Sequence, residues 1–269
     1  MSCFSDSNND ARAKVLVAQG TGEAPESAES LAQRLSLGLL DPDKDPEQSA
    51  PYAIAYIDGA LSIYDTGSKS PKPLCVDFCT GALRYRQKHS RQPEALLKAL
   101  GAKRQESHTV IDATAGWGLD SFIMATAGYE VTMLERSVVM HALLNDGIAR
   151  ARSCGQGDIE QAAQRMHLRL EDAESYLGKS ETQADIIYLD PMFPERKKSA
   201  QVKKNMQLLH GLLGEAKQES SLLGPSLQRA KKRVVVKRPR IAAPLQGAKA
   251  PDYQLEGKAN RFDVYLTAT

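Results

Sequence analysis

Long apolar runs are absent from this sequence. No stretch approaches the ~20 consecutive apolar residues of a membrane-spanning helix, so no membrane segment is expected. The first ten residues, Met-Ser-Cys-Phe-Ser-Asp-Ser-Asn-Asn-Asp, lack a basic region followed by an apolar core, so a secretory signal is not expected either. Cysteine is scarce. Cys3, Cys75, Cys79 and Cys154 form no C-x-x-C pair and no His/Cys metal spacing, so thiols in a reducing cytoplasm are expected. The five histidines are scattered without an H-E-x-x-H, and no metal centre is expected. Charge of one sign is lacking too: the formal net charge is only +2, so any nucleic-acid contact must come from local basic patches. There is no internal repeat and no low-complexity tract. What remains is a 269-residue chain, 42% hydrophobic and 25% charged, long enough for one large core or one core with a small accessory domain.

The first third reads as a small α+β unit. Lys14–Ala18 is a strand, Pro25–Leu37 an amphipathic helix, and Tyr52–Ile57 and Ala60–Tyr64 alternate around Asp58-Gly59, a two-residue hairpin signal. Leu74–Phe78 reads as a further strand and Pro93–Leu100 as a short helix before the polar stretch Gly101–Ser107. From Thr109 the chain alternates strands (Tyr129–Leu134, Met166–Leu170, Ala184–Leu189, Arg233–Val236, Phe262–Leu266) with helical patterns. The expected fold class is α/β: a mainly parallel, Rossmann-like sheet over 107–269, preceded by a small α+β domain and linker over 1–106, with ligands at the carboxyl ends of the strands.

The chain is organised around Thr109–Ser121. That stretch opens as a short buried strand (Val110, Ile111), bends through Ala115-Gly116-Trp117-Gly118, and enters a helix pattern from Leu119. Glycines at a strand-to-helix turn let a ligand approach the backbone, and the helix N-terminus offers free N–H groups. Glu135 ends the next strand about 17 residues beyond Gly118, where an acid can accept hydrogen bonds from both hydroxyls of an adenosine ribose. NAD and S-adenosylmethionine both carry that ribose, so Glu135 does not choose between them. Asp172 follows the third strand, placed to accept from the adenine amine.

The decisive stretch is Asp185–Pro194, in which a buried strand delivers Asp190-Pro191-Met192-Phe193 to the same edge of the sheet. It resembles the amino-methyltransferase motif (Asp/Asn)-Pro-Pro-(Phe/Tyr/Trp), with Met192 in place of the second proline. In enzymes with that motif two acceptors grip a planar –NH₂ and the aromatic ring stacks on the substrate. An exocyclic amine shares its lone pair with its ring, so acceptors that favour a pyramidal nitrogen stabilise the transition state selectively. Together with the glycine turn, Glu135 and Asp172, the pattern resembles class I S-adenosylmethionine-dependent methyltransferases.

The resemblance narrows further. Val76-Asp77-Phe78 with Gly81-Ala82, Asp112–Gly118, Met133–Arg136, Tyr188–Pro194, Lys198-Ser199-Ala200, Val234–Pro239 and Arg261-Phe262-Asp263 are similar to the bacterial RsmJ family, over about Val76 to Tyr265. The chain departs from it after Arg86, where Gln-Lys-His-Ser-Arg replaces a glycine-rich stretch, and at Trp117 and Leu119-Asp120. The resemblance implies methylation of the N2 amine of a guanosine near the 3′ end of 16S ribosomal RNA, with free rRNA or the small ribosomal subunit as partner. It also implies S-adenosylmethionine contacts at Leu119, Asp120, Glu135, Arg136, Asp172, Ala173 and Asp190. To these the turn adds Asp112, Gly116 and Gly118, and Asp190, Pro191 and Phe193 are the expected catalytic residues.

Three basic runs suggest RNA contact: Thr80–Arg91, with Arg84 and Arg86; Glu195–Lys204, with Lys197, Lys198 and Lys203; and Arg229–Arg240, with Lys237 and Arg238. Any one run can be a solvated face. Convergence of all three on the active edge favours phosphate contacts. The competing readings are a methyltransferase for another planar amine (a DNA adenine or cytosine, or a protein glutamine), a nicotinamide-dependent dehydrogenase and a non-catalytic RNA-binding scaffold. The dehydrogenase reading lacks a full G-x-G-x-x-G, since position 121 is Ser.

Overall fold

Alternation of strands and helices after Thr109 predicts a parallel sheet, and the chain builds one. A computed structural model describes residues 14–41, 43, 50–68, 72–80, 91–101, 108–179, 181, 183–191, 219–245, 249–257 and 260–267. The described residues fall into two units: those within 1–77 and 136–147, and those within 78–135, 148–191 and 219–267.

The first unit holds strands β1 (Val15–Val17), β2 (Gly38–Leu39), β3 (Tyr52–Ile57), β4 (Ala60–Asp65) and β5 (Leu74–Cys75), with helix α1 (Ala28–Leu35) between β1 and β2. The sheet order is β2-β1-β3-β4-β5. Helix α1 is shorter than the Pro25–Leu37 expected, because its ends are set chemically. Ser27 caps it by accepting from the Ser30 N–H at 3.2 Å, and Ser36 stops it in the left-handed region at φ 54°. The Asp58-Gly59 hairpin is as expected, both turn residues having positive φ (48° and 79°), which a primed turn requires. Strand β5 ends at Cys75, three residues short of the expected Phe78. Residues 136–147 join this unit, and the Leu61 N–H donates to Asp146 Oδ2 at 3.0 Å.

The second unit contains α2 (Arg91–Leu100), β6 (Thr109–Asp112), α3 (Leu119–Thr126), β7 (Glu130–Glu135), the end of α4 (Val138–Ala151), α5 (Gly157–Gln164) and β8 (Met166–Leu170). It continues with α6 (Ala173–Gly178), β9 (Ala184–Leu189), a 3₁₀ turn (Glu219–Leu222), α7 (Leu223–Arg229), β10 (Ala230–Pro239), β11 (Tyr253–Glu256) and β12 (Asn260–Leu266). The sheet order is β11-β12-β10-β9-β6-β7-β8. β6 through β10 are parallel, and among the described strands of this sheet only β12 runs antiparallel to its neighbours, β10 and β11. The chain steps outward from β6 to β7 and β8, then returns to place β9 on the other side of β6. That reversal opens a crevice at the carboxyl ends of β6 and β9, where open α/β sheets bind ligands. Ile111, Ile187, Leu189, Val234, Val236 and Tyr265 form the core of this unit. Phe78 belongs here as well, its ring stacked on Phe122 with centroids 4.9 Å apart.

Among the described residues no helix is long and apolar enough to cross a membrane, and no group of three or more His, Cys, Asp or Glu is arranged to hold a metal.

Candidate active site

The site begins at the end of β6. Asp112 is 1% exposed there, its carboxylate accepting from the Thr114 N–H at 3.1 Å and from the Ser121 hydroxyl. Burial pushes its carboxyl up to about 7, against the downward pull of those two hydrogen bonds, with the nearby Asp120 and Asp190 charges adding to the rise. The turn that follows needs its glycines: Gly116 and Gly118 have φ of 51° and 72°, and the Gly118 N–H closes the turn onto Ala115 O at 2.8 Å. Gly118 also caps α3 without a side chain, leaving first-turn N–H groups at Leu119 and Asp120 without intrahelical acceptors.

Register brings the opposite wall into place. Asp112 pairs with Tyr188 across β6 and β9, and Leu189 pairs with Val236 across β9 and β10. Continuing both ladders puts Thr114 and Asp190, just beyond the ends of β6 and β9, at one level with Lys237 in β10. The Asp190 N–H donates to Thr114 Oγ1 at 2.6 Å. Lys237 Nζ lies 2.7 Å from Asp190 Oδ2 and 2.6 Å from Asp120 Oδ2, and the Tyr188 hydroxyl donates to that same Asp120 oxygen at 2.6 Å. Burial alone lowers the Lys237 ammonium, but the Asp190 and Asp120 carboxylates outweigh it and carry it above the usual lysine range. The Tyr188 hydroxyl is likewise held well above its ordinary value, by burial first and then by Asp120. Pro191 is buried directly after Asp190.

Glu135 is the last residue of β7 and is buried, its carbonyl accepting from the Glu171 N–H at 3.1 Å; Arg136 follows it, half-buried. Asp172 sits beyond the end of β8 as the N-cap of α6, accepting from the Ser175 N–H at 2.9 Å, and Ala173 is the first residue of that helix. The expected cofactor residues of this unit therefore line the carboxyl ends of four adjacent strands. Asp112, Gly116, Gly118, Leu119, Asp120 and Asp190 are clustered, with Glu135 and Asp172 one and two strands away.

The third basic run does not lie where the sequence suggested. Strand β10 takes in most of Arg229–Arg240, and ten extended residues span about 30 Å, so the run reaches from one edge of the sheet to the other. Lys232 Nζ is 3.2 Å from His108 Nδ1 and 3.7 Å from Asp185, at the amino-terminal edge; Arg229 donates to Leu177 O and Arg233 to Ala99 O. At the carboxyl edge, Lys237 is held by two carboxylates. Arg238 is 6% exposed, and its guanidinium donates to Ala243 O. Arg261, paired bidentately with Asp263, holds Arg240 O and Ala242 O of the same loop. Phe193, Arg84, Arg86, Lys197, Lys198 and Lys203 lie outside the described residues.

Thr114, Ser121 and Tyr188 are site residues that sequence reasoning passed over. Thr114 lies in the turn, Ser121 in the first turn of α3 and Tyr188 in β9, each an ordinary hydroxyl residue whose partner only the fold supplies.

The donor set suits S-adenosylmethionine. Glu135 offers a buried carboxyl group at the end of β7, and the positive-φ glycines permit close backbone approach. Among the described residues the Trp117 indole Nε1, buried in the turn, meets no acceptor, so a ligand there can accept from it. Carboxylates at Asp112, Asp120 and Asp190 suit a cationic ligand. The sheet order, the glycine turn and the Asp190-Pro191 strand end define a class I methyltransferase.

The family model described as "Putative SAM-dependent methyltransferase" matches residues 31–267. A ribosomal RNA small subunit methyltransferase J from Thioalkalivibrio sulfidiphilus is 42% identical over 258 residues, 94% of this chain and 98% of the relative. One from Coxiella burnetii is 40% identical over 241 residues, covering 89% and 91%. The crystal structure of the SAM-dependent methyltransferase NGO1261 from Neisseria gonorrhoeae aligns with a TM-score of 0.71 at 35% identity, covering 93% of this chain and 95% of that one. This chain belongs to the ribosomal RNA small subunit methyltransferase J family and is an S-adenosylmethionine-dependent methyltransferase.

Proposed function

We propose that this enzyme methylates the exocyclic N2 amine of a guanosine near the 3′ end of 16S ribosomal RNA, acting in the cytoplasm on free rRNA or on the small ribosomal subunit. The observation that carries the reading is Asp190-Pro191, held beside the glycine turn by Thr114 and Lys237. The relatives' names support the RNA substrate. S-adenosylmethionine, when bound, supplies an electrophilic methyl group on a sulfonium.

In this reading Asp112, Gly116, Gly118, Leu119 and Asp120 hold the cofactor. Glu135 takes its ribose, Arg136 lies beside it, and Asp172 with Ala173 borders the adenine. Asp190 and the backbone carbonyl after it accept from the target amine, drawing its lone pair out of conjugation so that the nitrogen can attack. Pro191 fixes that backbone. No strong base is required, because the nitrogen becomes acidic once methylated. The base must leave its stack to reach the site, and Phe193 stacks on it there. Arg84, Arg86, Lys197, Lys198 and Lys203 bind phosphates. The first unit, built on residues within 1–77, contributes to RNA contact, and the second is the methyltransferase unit; the boundary falls near residue 77 rather than the expected 106, because Phe78 and α2 pack with the second unit.

The test is mass mapping of methylated nucleosides in ribosomal RNA from cells with and without the protein. Loss of one N2-methylguanosine near the 3′ end of 16S rRNA is expected. An unchanged rRNA map, together with methyl transfer to DNA or a protein glutamine in vitro, moves the enzyme to another planar amine.

A further inference from the structure

Lys237 sits in a run of basic residues, Lys-Lys-Arg-Val-Val-Val-Lys-Arg, and by sequence alone it reads as one more phosphate contact. Its surroundings are wrong for that role. The side chain is 15% exposed, and its ammonium lies within 2.7 Å of two carboxylates from two different elements: Asp120 on the first turn of α3 and Asp190 after β9. A cation that binds RNA phosphates must exchange its partners for the ligand, and leaving two carboxylates without their cation in a half-buried site is costly. Its neighbour in sequence, Arg238, is committed to a loop carbonyl and cannot take its place.

We propose that Lys237 is the positioning residue of the methyl-transfer site, fixing the orientation and the charge of the Asp190 carboxylate and tying it to Asp120 at the glycine turn. The inference rests on the reading of Asp190 as the acceptor for the target amine. Its geometric basis is that Asp190 is held from two sides. The backbone N–H is fixed by Thr114 Oγ1 at 2.6 Å and the side chain by Lys237 at 2.7 Å. An acceptor that acts by drawing a nitrogen lone pair into one direction works only if it is held in that direction beforehand.

The electrostatic basis is the crowd of acids. Facing this point among the described residues are Asp112 from β6, Asp120 from α3, the Tyr188 hydroxyl from β9 and Lys237 from β10, and Lys237 is the cation among them. Without it, Asp190 faces the Asp120 carboxylate in a partly buried site, and its ionised form is disfavoured.

The test compares wild type with Lys237→Met and Lys237→Arg. Single-turnover methylation of small-subunit RNA is measured across pH with saturating cofactor and RNA, RNA affinity is measured against salt, and ¹³C-carboxyl titration is followed in the protein alone. The Asp190 resonance is assigned by its loss in Asp190→Asn. Lys237→Met is expected to slow the step by roughly 10–100-fold at neutral pH and to move its acid limb up by about one pH unit or more, the effect of removing an adjacent opposite charge. The Asp190 resonance should titrate correspondingly higher, RNA affinity and its salt slope should stay the same, and Lys237→Arg should recover most of the rate. Should Lys237→Met fail to fold, Lys237→Gln serves in its place. An unmoved acid limb with an unmoved Asp190 titration overturns the proposal, as does weaker RNA binding with a shallower salt slope and a normal rate at saturation. If the wild type methylates no RNA, the rRNA reading fails while the carboxyl titration still decides the role of Lys237.

Discussion

The backbone N–H of Asp190 donates to the hydroxyl of Thr114 at 2.6 Å, so the residue that follows β9 is tied to the turn that follows its neighbour β6. Thr114 in turn donates its own N–H to Asp112 at 3.1 Å. One threonine thus joins the two strand ends that flank the crevice.

Thr114→Val keeps the shape of the side chain and removes the acceptor. The Asp190 N–H then loses its partner in a partly buried site, at a cost of about 1–3 kcal/mol. Urea unfolding should show that loss, and the single-turnover rate should fall roughly tenfold as the carboxylate shifts. Thr114→Ser should restore both. A valine variant with wild-type rate means that Asp190 is positioned without this contact.

Asp112 makes stability depend on pH. Its carboxyl is raised from 3.8 to about 7 in the folded protein, so between those values the native state holds a proton that the unfolded chain has released. Its contribution to stability is therefore full at low pH and is lost as pH rises through about 7. Asp112→Asn, which cannot ionise, should flatten the decline between about pH 4 and 7 and should be relatively more stable at pH 8. Urea melts at a series of pH values read this directly. Parallel curves for the two proteins remove Asp112 as the cause.

Much of this architecture could be read from the residues because local and global signals agree. Met166–Leu170 and Ala184–Leu189 are strands as expected, and the Asp58-Gly59 hairpin and the glycine turn at Gly116 and Gly118 follow from backbone chemistry that few other residues permit. Strand β10 is longer than the expected Arg233–Val236 because its charged ends conceal it: Lys232, Lys237 and Arg238 each find partners that only the folded sheet supplies. Strands β2 and β11 escaped notice as short edge strands of two and four residues, and helix α5 as a polar one. Asp172 was legible as an acid after a strand; its role as a helix cap was written in Asp172-Ala-Glu-Ser175, an acid three residues before the N–H it accepts. The cluster of Lys237, Asp120 and Tyr188 was not legible, because it depends on register across β9 and β10 rather than on spacing along the chain.

The basic residues should separate into two groups. Lys197→Ala with Lys198→Ala should weaken RNA binding and reduce the slope of log affinity against log salt by about 1–2, with cofactor affinity unchanged. Arg238→Ala should leave that slope alone and lower stability instead, since its buried guanidinium holds the loop at Ala243. Filter binding between low and moderate salt, paired with thermal melts, distinguishes the two. A large slope change for Arg238→Ala means that it leaves the loop to meet phosphate.

Glu135 tests the cofactor side. Glu135→Ala should weaken S-adenosylmethionine binding by about 1–3 kcal/mol, the loss of charge-assisted hydrogen bonds to a ribose. Calorimetry in the absence of RNA measures this without reference to turnover. Unchanged affinity in a folded variant takes Glu135 out of the site and leaves the ribose to another acceptor.

In the proposed reading the chemical step turns on Asp190 and Phe193, and the two should fail in different ways. Asp190→Ala removes an interaction that strengthens as the target nitrogen pyramidalises, so the single-turnover rate at saturating cofactor and RNA should fall on the order of 10²–10³-fold. RNA affinity should change little. Phe193→Ala removes a stacking surface that is in place before the methyl moves as well as during transfer, so it should weaken RNA binding by roughly 1–3 kcal/mol and slow the rate as well. Because Asp190 also borders the glycine turn through Lys237 and Asp120, cofactor affinity has to be measured separately for each variant. A near-normal rate for Asp190→Ala at saturating cofactor removes the acceptor mechanism, even with the methyltransferase fold intact.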